Sequence, residues 1–302
     1  MKSNDENDII PLELPKLNLP LVNKERKSDD DFMSDLIQVA NEVNKAIIVA
    51  LGIVPQKKIE LEKLDVIKGY LVRLYKLYDS YIFLIVKRRT EIAFIILRTL
   101  TETVINLEYL LKHNLTDVYK KYKRASLAYE NNLQETILKN VLNRGDQLPI
   151  EERMLKSIKD TFIRSGMKNI EEKELKKTKW GLKKEDLEIS GKAKDVELEP
   201  VYRSIFTFSS HFVHGSWHEL DFYHLDKELD SYGGRQPQMK YGTPKPQLIE
   251  AISILVLSVL SKYLSTITED GEHSTEVKAY LEKISSWFME MVNKHEEFLQ
   301  LK

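Results

Sequence analysis

The chain has 302 residues, 46 Lys and Arg against 47 Asp and Glu, seven His and no Cys. A formal net charge of -1 supplies no bulk field to gather nucleic acid, so any such binding must be built locally. The lack of Cys excludes disulfides, thiol nucleophiles and thiolate-held zinc or iron–sulfur centres, and with no signal-peptide pattern the expected location is the reducing cytoplasm.

Residues 1–28 read as an extended arm. Pro11, Pro15 and Pro20 punctuate a segment without helical period, and each holds its predecessor toward extended backbone. Such an arm either hangs free or lies along a groove, on the body of the protein or on a partner. Residues 29–302 read as a single helical domain with a polar helical insertion around 150–200. Asp29, Asp30 and Asp31 offer capping acids for a helix over 30–53, which should stop near Gly52 and Pro55. Leu61, Leu64, Ile67, Leu71, Leu74 and Leu77 recur every three or four residues and predict a second helix over 59–88. A third follows over 90–113, with Thr90 as a candidate cap, and a fourth over 116–143, ending before Gly145.

Shorter helices are expected over 151–165 and 170–179, where Glu-Glu-Lys and Lys-Lys runs mark a solvated face. After Pro200, residues 201–217 read as one compact, mostly uncharged helix. Residues 231–246 hold three Gly and three Pro and are expected to be irregular. Helices over 246–266 and 274–301 follow. The uncharged run over 251–261 is too short to span a bilayer, so no membrane association is expected. The fold class is all-α: a multi-helix bundle of long antiparallel helices with an extended N-terminal arm and no sheet beyond a hairpin.

Four of the seven histidines, His211, His214, His218 and His224, fall within one short stretch. On a straight helix the first three project within about 60° of one another, a geometry that suits a metal with Glu219 or Asp221. Three ligands from one helix rarely close a tetrahedral site, so no metal and no cofactor is assigned. Gly215 marks a helix end or a close backbone approach, which would aim His214 between helices, mostly buried and bonded to another helix. Upstream, Arg98 and Glu102 stand four apart inside an apolar stripe. They form either an ordinary helix pair or, with His211 or His214, a network across a helix interface. Ser210 and Ser216 flank His214, but no strand–turn–helix elbow presents a serine nucleophile. Gly233-Gly234 lacks the Lys and Ser/Thr of a phosphate-binding loop.

Arg98-Thr-Leu-Thr-Glu102, then Tyr119-x-x-Tyr122, then Tyr202 leading to Ser210-x-x-x-His214-Gly215-Ser216 form a set over about residues 60–265. In that set the chain resembles a widespread bacterial family of all-helical proteins known only as a domain of unknown function. The last segment is also similar to the HEPN superfamily of helical bundles, many of them metal-independent ribonucleases of toxin–antitoxin and phage-defence systems. Their hallmark is an Arg followed a few residues later by a His. Here seven residues separate Arg203 from His211, more than that pattern holds.

Metal-free RNA cleavage needs a base for the ribose 2′-hydroxyl, an acid for the leaving oxygen and a cation for the phosphorane charge. His211 and His214 would serve as acid and base, Arg98 or Arg203 as the cation, with Glu102, Tyr202 and Ser210 arranging them. RNA is then the expected partner. The alternative is a non-catalytic helical module that binds a protein partner or small ligand through the arm or the 231–246 loop, with Arg98, Glu102 and His214 fixing helix packing. Either reading accommodates a homo-oligomer.

Overall fold

Helix α1 (Asp29–Gly52) begins where Ser28 Oγ accepts from the Asp31 N–H while Asp31 Oδ2 accepts from the Ser28 N–H, a reciprocal cap. Ser28 is therefore the N-cap, and the three acids stand in the first turn, where they suit the helix dipole as expected and Asp31 closes the cap. The computed structural model describes residues 14–166, 179–229, 231–269 and 271–301. All but the last residue of the helix expected over 170–179 lie outside them.

The chain divides into two compact units, Met1–Leu111 with Pro200–Lys302, and Lys112–Glu199. In the first, α1 is followed by α2 (Leu61–Val86), α3 (Thr90–His113), α8 (Pro246–Ile267) and α9 (Glu272–Gln300). Leu36, Val39, Val43 and Ile47 give α1 one apolar stripe, and Ala40, Ala46 and Ala50 are fully buried beside it. That double surface lets α1 pack against α2, α8 and α9. Full burial of each large aliphatic side chain contributes about 1.5–3 kcal/mol. A buried hydroxyl pair, Tyr78 with Ser253 at 2.6 Å, ties α2 to α8. Arg73 Nε donates to Thr103 Oγ1 at 3.1 Å and joins α2 to α3. Helix α8 is long and apolar enough to cross a membrane, and more than half of its most apolar stretch is buried inside this unit.

The described part of the arm lies along the helices. Trp287 Nε1 of α9 donates to the Pro20 carbonyl at 2.7 Å, and Gln38 of α1 donates to the Asn18 carbonyl. Buried Arg26 donates to Asp35 at 2.9 Å and to the carbonyls of Leu21, Val22 and Lys24. Its guanidinium thus supplies donors to carbonyls of a turn that has no ladder bonds, beside the Lys24 N–H that the Leu21 carbonyl also accepts.

The second unit holds α4 (Thr116–Arg144), α5 (Pro149–Arg164), a 3₁₀ turn over Glu185–Leu187 and α6 (Ile189–Asp195). Within it Lys192 Nζ stands 4.2 Å from the centre of the Trp180 ring, and Tyr122 meets that ring edge-on.

The helix expected over 201–217 is not continuous. A helical turn over Glu199–Val201 widens into a π-turn over Tyr202–Phe206, closed by the Thr207 N–H on the Tyr202 carbonyl. Helix α7 (Thr207–His214) follows and stops at Gly215, whose φ of 58° is left-handed. A short turn over Trp217–Glu219 and a second π-turn over Leu220–His224 lead into β1 (Leu225–Leu229). Strand β1 pairs antiparallel with β2 (Arg235–Pro237), Leu225 opposite Pro237 and Leu229 opposite Arg235, with a bulge between. So part of the stretch expected to be irregular is a strand. Arg235 anchors it, donating to the Asp226 carbonyl and pairing with Asp221. Gly242 N donates to Glu91 Oε1 at 2.7 Å, and Thr90 Oγ1 donates to the Gly242 carbonyl. Thr90 therefore holds the loop rather than capping α3.

Candidate functional site

Aromatic packing seats the 207–224 segment on α3. Phe94 stacks on Phe212 with ring centres 4.4 Å apart and meets Phe208 edge-on, while Phe212 meets Tyr223. Such pairs add about 0.5–1.5 kcal/mol beyond the area they bury and fix the relative rotation of the helices. One turn further along α3 stands Arg98. Its Nε donates to Ser210 Oγ at 3.0 Å, and Ser210 in turn donates to the Phe206 carbonyl at 2.8 Å. The guanidinium carbon lies 4.5 Å from the centre of the Phe206 ring, on which Tyr202 stacks at 5.0 Å. Arg98 Nη1 is 3.7 Å from Glu102 Oε2, and the two side chains are 25% and 43% exposed. An ion pair that open is worth well under about 1 kcal/mol, so Arg98 keeps much of its charge available to an incoming anion.

The end of α7 builds a second group. The left-handed turn at Gly215 brings the N–H groups of Gly215 and Ser216 back onto the His211 carbonyl. Ser216 Oγ accepts from the Glu219 N–H at 3.4 Å and lies 2.8 Å from His211 Nδ1. The half-buried His211 ring is 5.5 Å from that of His218, which stacks on Phe222 at 6.1 Å. Buried Glu219 accepts from His224 Nε2 at 2.5 Å. Trp217 and Phe222, on the two successive turns, stand open to solvent, 69% and 67% exposed. No group of three or more His, Asp or Glu side chains among the described residues is arranged to hold a metal ion.

The model of a family described as "Family of unknown function (DUF5677)" matches residues 64–232, more than half of the chain. The chain belongs to this family. The DUF5677 span contains every residue of the two groups above. No curated protein and no solved structure matches the chain.

Among the residues singled out from the sequence, the DUF5677 fold brings together Arg98, Glu102, Ser210 and, through Phe206, Tyr202. It also brings His211 into a polar setting. His214 is a correction. It is exposed, and among the described residues it makes no hydrogen bond or ion pair, with Glu102 or any other group. The reason is angular: α7 buries Ser209 and Phe212, and His214 follows Phe212 by about 200° of helix rotation. The face toward α3 is set by Phe208 and Phe212, four apart, not by the histidines. The sequence placed His211 and His218 on one face, and the two rings are neighbours, but it missed Ser216 as the partner of His211. On a continuous helix residues 211 and 216 point about 140° apart, and only the turn at Gly215 folds one onto the other. The readable signal was the Gly215-Ser216 pair, a helix stop followed at once by a capping residue.

Proposed function

We propose that this face cleaves single-stranded RNA by general acid–base chemistry on its own side chains. The reading rests on one observation: a half-buried imidazole, held by Ser216, faces a second imidazole 5.5 Å away, on the helix that Arg98 grips through Ser210. In the reaction His211 Nε2 takes the proton of a ribose 2′-hydroxyl as its oxygen attacks the adjacent phosphorus. His218 gives a proton to the departing 5′-oxygen, leaving a 2′,3′-cyclic phosphate and a 5′-hydroxyl. Arg98 offsets the charge that builds on the phosphoryl oxygens, and Ser210, Phe206 and Tyr202 hold it in place. Exposed Trp217 and Phe222 offer rings on which unpaired bases stack. This is the chemistry of the HEPN-like reading of the sequence, with Arg98 taking the place of Arg203, which stands too far from His211 in sequence. His214 lies at the solvent edge of the face and carries no assigned step.

Incubating the purified chain with end-labelled single-stranded RNA in EDTA tests this. Fragments should end in 2′,3′-cyclic phosphate, a 2′-deoxy substitution at the cut should block cleavage there, and His211→Ala should slow it by about 100-fold or more. Intact RNA with the wild type, or full activity in His211→Ala, would sink the proposal. The remaining reading is then a non-catalytic module whose exposed Trp217, Phe222, Tyr232 and Met239 receive a protein partner.

A further inference from the structure

We infer that the outward face of α5 is a docking surface for the phosphodiester backbone of single-stranded RNA. That the strand is RNA rests on the cleavage reading above; the anion-binding character of the face does not. A chain with a net charge of -1 must concentrate positive charge locally to hold a polyanion, and α5 does so. Arg153, Lys156 and Arg164 project within about 80° of one another on this helix. With Ser157, Asp160 and Ile163 they line one open groove of about 440 Å³. Three cations there face a single carboxylate. Arg153 and Arg164 stand about 16 Å apart along the axis with Lys156 between, so a strand lying along the helix meets positive charge at both ends of the groove.

The helix is held so that this face stays outward. Glu151 accepts from Arg144 of α4 at 2.5 Å, and buried Ile158, two turns on, shares its side of the helix. The basic stripe lies on the opposite side, and all six groove residues are exposed. Asp160 stands four residues from both Lys156 and Arg164, the spacing at which a solvated helix closes ion pairs. Among the described residues neither pair closes. Arg164 Nε donates to the Asp160 carbonyl at 3.4 Å instead, and Arg153 and Lys156 make no hydrogen bond or ion pair. Their charge is left for an incoming anion, and each phosphate that takes it up releases condensed counterions. A membrane surface fits less well, because the groove carries Ser157 and Asp160 and has only Ile163 to insert.

Fluorescence anisotropy of a labelled 2′-O-methyl RNA strand with the full chain tests this. That strand has no free 2′-hydroxyl to attack, so it reads binding without cleavage. Binding should weaken as salt rises. The double variant Arg153→Gln, Lys156→Gln changes two exposed positions where Gln keeps the helix. It should raise Kd roughly tenfold at about 0.1 M salt and flatten the slope of log K against log salt by about 1.4, or about 0.7 per lost phosphate contact. Lys76→Gln with Lys283→Gln removes the same charge from exposed positions on α2 and α9 and should change neither. No binding by the wild type overturns the inference, as does an α5 variant that binds like the wild type or a control variant weakened as much. A tighter hold through the same two cations on phosphatidylserine vesicles than on the strand also overturns it and makes the partner a membrane. If the wild type cuts RNA while the α5 variant binds normally, the docking face alone falls. If the wild type leaves RNA uncut yet binds the strand through α5, the cleavage reading alone falls.

Discussion

His295 on α9 is 1% exposed and, among the described residues, has no hydrogen bond on either ring nitrogen. Nε2 is 3.5 Å from Asp29 Oδ1 of α1, and Nδ1 is 3.9 Å from Glu250 Oε1 of α8, with Phe32 and Phe298 against the ring. Glu250 is itself buried, and burial, reinforced by the Glu296 carboxylate, pushes its carboxyl up from the ordinary 4.5 to about 7. A folded carboxyl that holds its proton more tightly than the unfolded one stabilises the protein below pH 4.5. That contribution is lost as pH rises through 7. Gln keeps the shape and stays neutral, so Glu250→Gln should unfold at higher temperature than the wild type at pH 8. The gain should be at most on the order of 3 kcal/mol, and the gap should close below pH 4.5. Thermal melts across that range check it, and an equal gap at pH 4 and pH 8 would refute it. His214 illustrates the reverse case, since an exposed imidazole strands no partner when it is removed.

At the scale of the element, the break at Gly215 decides the site. An added Cβ there meets no atom within 4 Å, so the whole cost of a side chain is the left-handed backbone itself. Gly215→Ala should therefore cost about 1–2 kcal/mol, seen in urea denaturation, and Gly215→Val more because of its branched Cβ. An Ala variant as stable as the wild type would show that the chain ends α7 without needing this turn. The long helices were legible because their apolar period is regular: 59–88 was expected and Leu61–Val86 found, 246–266 expected and Pro246–Ile267 found. The 199–224 stretch was not. Two π-turns each take up an extra residue, and a left-handed glycine reverses the chain, so an even rotation per residue misplaces everything after Tyr202. Apolar neighbours on both helices bring Arg98 to this segment, as expected, but the sequence paired it with His211 or His214 and the structure pairs it with Ser210; the positions of His214, Ser216 and His218 depend on a break whose shape sequence alone leaves open.

On the scale of the molecule, the arm is bonded to helices distant from it in sequence. Trp287 is buried and gives its indole N–H to the Pro20 carbonyl. Trp287→Phe keeps most of the apolar volume and removes that donor, which should cost about 1 kcal/mol. Amide exchange of residues 16–22 should quicken while that of α4, in the other unit, stays as it was. Unchanged exchange in the arm would mean that Arg26 and Gln38 alone hold it.

The same bond has a consequence during synthesis. Helix α1 and the arm leave the ribosome long before α8 and α9, the helices against which they pack. Between them comes Lys112–Glu199, a unit with its own internal packing, which can fold as it emerges. Until translation reaches α8, the fully buried alanines and apolar stripe of α1 have only α2 to cover them. The nascent chain therefore exposes a sticky helix for most of its elongation, a natural client for chaperones that survey emerging polypeptides.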